Sequence, residues 1–173
     1  VEQSLWNGLV KVGGTYFHNK FENLIDYSFP SGYLNVNEAR TEGLEATLDV
    51  DPLQSLHFQA HYTRLKTENL ETGRRLLSRP HYKADVQVDY TFPNGANLWA
   101  QARFRGKQED YESSPTRVYS GPFTVVNLAL RAPLTEGLEL TGRVENALDR
   151  DYEEVWGYGT RGRSAYVGLS AHY

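Results

Sequence analysis

The 173 residues contain no cysteine and no methionine. Without cysteine there are no disulfides, no thiolate nucleophile and no Cys-ligated zinc. The missing methionine includes the initiator, so the expectation is a mature chain or a piece of a longer protein. Long apolar runs are missing too: mean hydropathy is -0.59, and nothing approaches the ~18 consecutive apolar residues of a membrane-crossing helix. No basic start followed by an apolar run marks a signal peptide. An excess of positive charge is also lacking. A net charge of -4 and a pI near 5.7 argue against a nucleic-acid partner held by phosphate neutralisation.

What is plentiful is aromatic side chain, with 12 Tyr, 7 Phe and 3 Trp, a composition suited to strands and to half-wet interfaces. These residues sit in a strict alternation. In the final stretch Ala165, Val167, Leu169, Ala171 and Tyr173 alternate with Ser164, Tyr166, Gly168, Ser170 and His172. The same period of two runs through Tyr82–Phe92, Ala96–Arg105 and Leu138–Glu145, and less cleanly through Leu9–Phe17, Glu42–Asp51, Leu56–Thr63 and Phe123–Ala132. A two-residue period places successive side chains on opposite faces of a strand. The pattern predicts eight strands and no amphipathic helix.

The connections alternate as well. Short turn signals stand at 6–8, 51–55, 92–95 and 133–137, and longer loops near 27–33, 68–80, 107–121 and 149–163. That describes a meander of antiparallel hairpins. One phase is dense in charge, with Glu45, Asp49, Lys83, Asp85, Asp89, Arg103, Arg105, Arg131, Glu139, Arg143 and Glu145; the other is apolar, with Tyr and Phe toward strand ends. A soluble barrel puts its apolar face inward, whereas an outer-membrane barrel inverts this, with an apolar band toward lipid and a polar lumen. The reading is an all-β, antiparallel transmembrane β-barrel segment of about eight meander strands, with short periplasmic turns and long outer loops. Its rivals are a complete eight-stranded outer-membrane barrel and a soluble lipocalin-like binding barrel.

The C-terminal run NALDRDYEEVWGYGTRGRSAYVGLSAHY resembles the end of TonB-dependent outer-membrane transporters, through Asn146, Asp149, Tyr152, Gly157, Tyr158, Gly162, Arg163 and the terminal aromatic Tyr173. Ala147 and Leu148 depart mildly from the usual pair. FENLIDY (21–27), NEARTEGLEATLDV (37–50) and RRLLSRPHYKADVQVDY (74–90) are also similar, most closely to the cobalamin-transporter branch. The resemblance implies that residues 1–173 are the C-terminal portion of a β-barrel domain of about twenty-two strands, without its plug and TonB-contacting segment. VEQSLWNG then reads as the end of one more strand and its turn. It implies uptake of a large scarce ligand, cobalamin first and a siderophore or haem next, in the outer membrane of a Gram-negative-type bacterium. The implied partners are outer-membrane lipid, the barrel-assembly machinery, the TonB complex through the plug, and the transported ligand. Gly168, Ala171 and Tyr173 resemble the terminal signal that the assembly machinery reads.

Catalytic candidates are weak. GYGTRG (157–162) matches a dinucleotide fingerprint in letters, but it leads into a strand where that fingerprint needs a helix N-terminus. His57 and His61 share a strand face some 13 Å apart, too far for one ion. Asp85 and Asp89 face Arg103 and Arg105 across the 92–95 turn, which favours cross-strand ion pairs over acid–base work. No catalytic set, metal site or cofactor is expected. The functional candidates are outer-loop residues that offer contact area with a polar tip: Tyr27, Phe29, Tyr33, Tyr111, Tyr119, Tyr152, Trp156, Tyr158 and Arg161.

Overall fold

The computed structural model describes residues 1–28, 32–113 and 116–171, with backbone alone for 26–28, 34, 36–37 and 111–113. In chain order the strands are β1 (Glu2–Leu5), β2 (Val10–Ser28), β3 (Gly32–Leu53), β4 (Leu56–Asn69), β5 (Tyr82–Thr91), β6 (Asn97–Arg105), β7 (Gln108–Ser113), β8 (Thr116–Ser120), β9 (Phe123–Thr135), β10 (Leu138–Glu145), β11 (Glu153–Val155), β12 (Tyr158–Gly159) and β13 (Ser164–Ala171). Nine of them form one antiparallel sheet in the order β1-β2-β3-β4-β5-β6-β9-β10-β13. The pairs β7–β8 and β11–β12 are separate small hairpins standing in the connections.

At one end of the sheet the connections are tight. Trp6–Gly8 makes a single 3-10 turn in which the Leu9 N–H donates to the Trp6 carbonyl at 3.2 Å. In the β5–β6 turn Gly95 has a φ of +82°, which glycine adopts without the Cβ penalty, and the Phe92 N–H donates to the Ala96 carbonyl at 2.7 Å. All longer connections lie at the opposite end. The loop asymmetry expected of an outer-membrane wall is therefore present.

The register makes the two faces continuous. Val12, Leu48, Ala60, Val86, Ala102 and Val126 sit opposite one another across six strands, as do Ala132, Leu140 and Leu169 across three. On this apolar face Tyr90 and Phe92 meet edge to face near the tight turns, their ring centroids 4.6 Å apart. Tyr62, Tyr82 and Phe104 mark its other end. Tyr82 and Tyr90 are separated by about 26 Å along the strand at ~3.3 Å per residue, close to the ~25 Å apolar band of an outer-membrane barrel flanked by aromatic girdles.

This face does not cover a core. Among the described residues the buried apolar side chains are Ala39, Leu76, Ala96 and Val125, whereas Leu169 is 68% exposed and Val167 81%. A lipocalin-like interior would bury these residues, so the soluble alternative fails. The complete small barrel fails too, because β1 and β13 stand at opposite ends of the sheet and are not paired with each other. What is present is part of a barrel wall.

The sheet has nine strands: the eight expected from alternation and Glu2–Leu5, which pairs with β2 at the edge where VEQSLWNG reads as the end of one more strand. Two expectations need correction. β2 and β3 run for 19 and 22 residues and stay paired out to Ser28 and Gly32, so the loop near 27–33 shrinks to a tip. Their outer halves carry polar residues on both faces, and an alternation signal vanishes where neither face meets lipid. Likewise 107–121 holds the hairpin β7–β8.

The wall makes a direct prediction. Val86→Arg should cost ~2–4 kcal/mol of barrel stability as a charge placed near the bilayer midplane. Gln87→Arg, one residue along and on the polar face, should cost no more than the ~1 kcal/mol of a lost side-chain hydrogen bond. Urea unfolding in liposomes distinguishes them, and equal costs would refute the assignment of faces.

Candidate functional site

The polar face is knit by side chains on neighbouring strands. Asp85 stands opposite Arg103, and the Arg105 guanidinium donates to both of its carboxylate oxygens, at 3.0 and 3.2 Å. Asp89 accepts instead from the Asn97 amide at 2.8 Å. Trp99 Nε1–H donates to Gln87 at 3.2 Å, Gln59 donates to Asp49 at 2.8 Å, and His57 Nδ1 lies 2.6 Å from Asp51. These carboxylates have cation or amide partners on adjacent rungs, an arrangement for holding a polar wall in shape.

Above that wall three outer connections are tied together through Asp110 and its neighbour Gln108. Asp110, 5% exposed, accepts from Ser78 Oγ at 2.5 Å, from Gln108 Nε2 at 3.0 Å and from Ser120 Oγ at 3.1 Å. Gln108 Nε2 also donates to the Glu154 carbonyl at 2.8 Å, and Arg103 reaches the Glu154 carboxylate at 3.1 Å. The 70–81 loop, hairpin β7–β8 and hairpin β11–β12 are thus tied together over the polar face. Between them lies a hollow of about 270 Å³ lined by Lys83, Arg103, Arg105, Gln108, Phe123 and Glu154 among others. The sequence reading passed over Ser78, Gln108, Asp110 and Glu154. Nothing local distinguishes them from ordinary loop polars, because the signal is the long-range meeting itself.

The C-terminal outer loop owes its shape to two residues of the signature. Asn146, 3% exposed with φ +50°, accepts the Arg150 N–H at 2.9 Å, donates to the Arg150 carbonyl at 2.9 Å and to the Arg161 carbonyl at 3.4 Å. Asp149, with φ +52°, accepts the Arg163 N–H at 2.8 Å. Asn and Asp are the non-glycine residues that tolerate this backbone region best. The Arg163 N–H holds the Asp149 carboxyl below the ordinary carboxylate range against an upward push from burial, and the Arg163 guanidinium adds to the lowering. The literal GYGTRG fingerprint falls partly in β12 and then leads into β13.

The expected contact residues do not converge on one point. Tyr33 is 81% exposed at the far tip of the β2–β3 hairpin. Phe29 lies outside the described residues, as do the side chains of Tyr27 and Tyr111. Tyr152 packs on Phe123 with ring centroids 4.5 Å apart, beside the hollow. Trp156 and Tyr158 are exposed on the hairpin β11–β12. Arg161 donates to the Tyr166 hydroxyl at 2.7 Å. Tyr119 sits on the face of β7–β8 opposite the hollow, beneath the Lys107 ammonium at 5.7 Å. Of the terminal triplet, Ala171 pairs with Leu138, Gly168 sits opposite Thr141, where a Cβ would come within 2.8 Å of the Thr141 hydroxyl, and Tyr173 lies outside the described residues.

Residues 2–147 match the family model described as TonB dependent receptor-like, beta-barrel. The chain belongs to that family. Structures of the same shape include the Pseudomonas aeruginosa receptor FpvA bound to heterologous pyoverdines, at 19% identity and a TM-score of 0.80 over 98% of this chain and 26% of that one. The siderophore receptor PiuA from Acinetobacter baumannii gives 18% identity and 0.80 over 99% and 27%. A mutant ferric enterobactin receptor from Pseudomonas aeruginosa, in complex with enterobactin, gives 25% and 0.77 over 98% and 30%. The chain therefore spans under a third of the length of these receptors. As a member of this family, the wall sits in the bacterial outer membrane, where lipid can cover its apolar face.

Two outcomes follow from the loop geometry. Asp110→Ala strips Ser78, Gln108 and Ser120 of a shared acceptor, a loss of roughly 1–3 kcal/mol to the closed arrangement of the loops. Hydrogen exchange should speed up in 76–80, 108–113 and 116–120 while the β4–β5–β6 ladder keeps its protection. For Asp149 the folded pKa lies below the unfolded one, so its contribution is present above the ordinary Asp value of 3.8 and fades as pH falls through the lowered value. The Arg163 amide should move in that acid window by NMR, and Asp149→Asn should abolish the step.

Proposed function

We propose that this chain forms part of the wall and outer loops of a TonB-coupled transporter that draws a large scarce ligand across the outer membrane. The observation that carries this is the tie of three outer connections through Asp110, Gln108 and Glu154 over the polar face. It gives the wall a shaped outer vestibule, where a plain structural barrel needs only tight caps. The chain contributes surface and positioning. Two open sheet edges, β1 and β13, carry backbone groups that need partner strands in lipid, so the transporting unit includes strands beyond these nine; the family likeness adds a plug that couples to TonB. Gly168, Ala171 and Tyr173 fit the role of its assembly signal.

For the ligand, an iron siderophore stands ahead of cobalamin. Two of the similar receptors are bound to pyoverdines and to enterobactin, while cobalamin rests on the likeness of 21–27, 37–50 and 74–90 to that branch. The deciding measurement is uptake by cells that express the intact receptor and lack other routes, with radio-iron siderophores and radio-cobalt cobalamin offered separately. Uptake that stops when the proton-motive force is collapsed supports the reading. Trp156→Ala with Tyr158→Ala should raise the half-saturating concentration by about tenfold, the scale of losing an aromatic contact worth ~1.4 kcal/mol. No energised uptake of any metal chelate or corrinoid would refute it.

A further inference from the structure

The apolar face changes character just beyond its outer aromatic end. Its last lipid-compatible rungs are Gly14–Ala46–Tyr62–Ala84–Phe104 and then Tyr16–Leu44–Arg64–Tyr82. The next rung on the same face is His18–Glu42–Lys66, followed by Lys20–Arg40–Glu68. Over β2 to β4 these charges satisfy one another: Lys66 reaches Glu42 at 2.8 Å, Arg40 reaches Glu68 at 2.6 Å, and Lys20 reaches Glu38 at 3.2 Å.

Beside this ladder the balance is different. The 70–81 loop and hairpin β7–β8 enclose a hollow of about 560 Å³ lined by Arg74, Arg75, Arg117, Glu109 and Tyr119. Glu109 is its acid, and it is ion-paired to Arg117. Lys107 stands over the Tyr119 ring, and exposed Arg64 stands beside Tyr82 in the last rung below. Cations thus outnumber acids here. His81 nearby responds accordingly: burial first, then the charges of Arg75 and Lys107, hold its imidazole below the ordinary range, against the opposing pull of Glu109.

The hollow also faces away from the lumen. Gln108 and Ser120 line the hollow over the polar face, and their neighbours Glu109 and Tyr119 project from the other side of the hairpin, as strand alternation demands. We propose that this outward basic hollow is a docking surface for the phosphorylated headgroup of an outer-leaflet lipid. Position commits it to lipid. A ligand on its way through the barrel passes the opposite face, whereas headgroups lie against the outer wall at the level immediately beyond the aromatic girdle. The chemistry fits: Arg75 and Arg117 already donate to the Leu65 and Arg75 carbonyls, while the exposed Arg74 guanidinium is a planar fork that pairs with phosphate oxygens in bidentate geometry, and basic clusters at a membrane surface gather anionic lipid. The proposal rests on the membrane placement of the wall and is independent of what is transported.

The test uses the intact receptor, purified from outer membranes in mild detergent, with bound lipid phosphate per barrel read by native mass spectrometry. Arg74→Gln with Lys107→Gln is the deciding variant, because both side chains are exposed and neither makes an ion pair among the described residues. An unchanged heat-dependent gel shift confirms that it folds. Expected is retention of phosphorylated glycolipid by the parent protein and loss of at least about fivefold in the variant, in line with the weakening of anionic-lipid attraction when two basic residues are removed. Lys83→Gln on the lumen side should leave retention unchanged. Exchange into nanodiscs should favour phosphorylated over dephosphorylated glycolipid, and inorganic phosphate should fail to displace it. Equal retention by the deciding variant, equal loss in Lys83→Gln, indifference to lipid phosphorylation, or displacement by inorganic phosphate would each overturn the proposal, the last by showing a site for free anions.

Discussion

Hydrocarbon offers no partner to a backbone N–H or C=O, so a strand that crosses it must be paired along both edges. The rest of this structure depends on that constraint. It forces an unbroken antiparallel ladder from β1 to β13, and the ladder in turn locks the register. Once the register is locked, each strand's period of two becomes a property of the whole sheet. Val12, Leu48, Ala60, Val86, Ala102 and Val126 then form one apolar rung although they come from six separate stretches of sequence. A slip of one residue in any strand would turn its charges into lipid.

The same constraint frees the other face. Because lipid claims only one phase, the alternate positions can carry Asp85, Gln87, Asp89, Trp99, Arg103 and Arg105, linked across strands by hydrogen bonds and ion pairs. Partly exposed pairs of this kind contribute little each. Their value is geometric, since they set where Arg103 points and hence where Glu154 and the hairpin β11–β12 are held. Outside the hydrocarbon, backbone pairing is no longer compulsory, yet β2 and β3 continue as a long paired ribbon. There polar residues occupy both faces, and ion pairs such as Arg40–Glu68 replace apolar contact.

The outer connections follow a different logic. They are shaped by a few buried polar groups with several partners each. Asp110 gathers donors from residues 32 positions before it and 10 after it, and Asn146 anchors both strands of its own loop. A buried polar atom left without a partner is costly, so each such node admits few loop arrangements.

The sequence by itself determined the fold class, the inversion of faces, the placement of short turns and the family likeness carried by Asn146, Asp149 and Arg163. Each is a local signal: a period of two, a turn residue, a spacing within one loop. Tertiary structure alone decided the extent of β2 and β3, the hairpin within 107–121, and the sides on which Tyr119 and Gln108 fall. In those stretches polar residues fall on both faces and no clean periodic contrast survives in the letters. What sets them there is pairing between residues far apart in the chain: Ser28 with Gly32 closes a ribbon begun at Val10 and Val50, and Gln108 meets Glu154 across 46 positions.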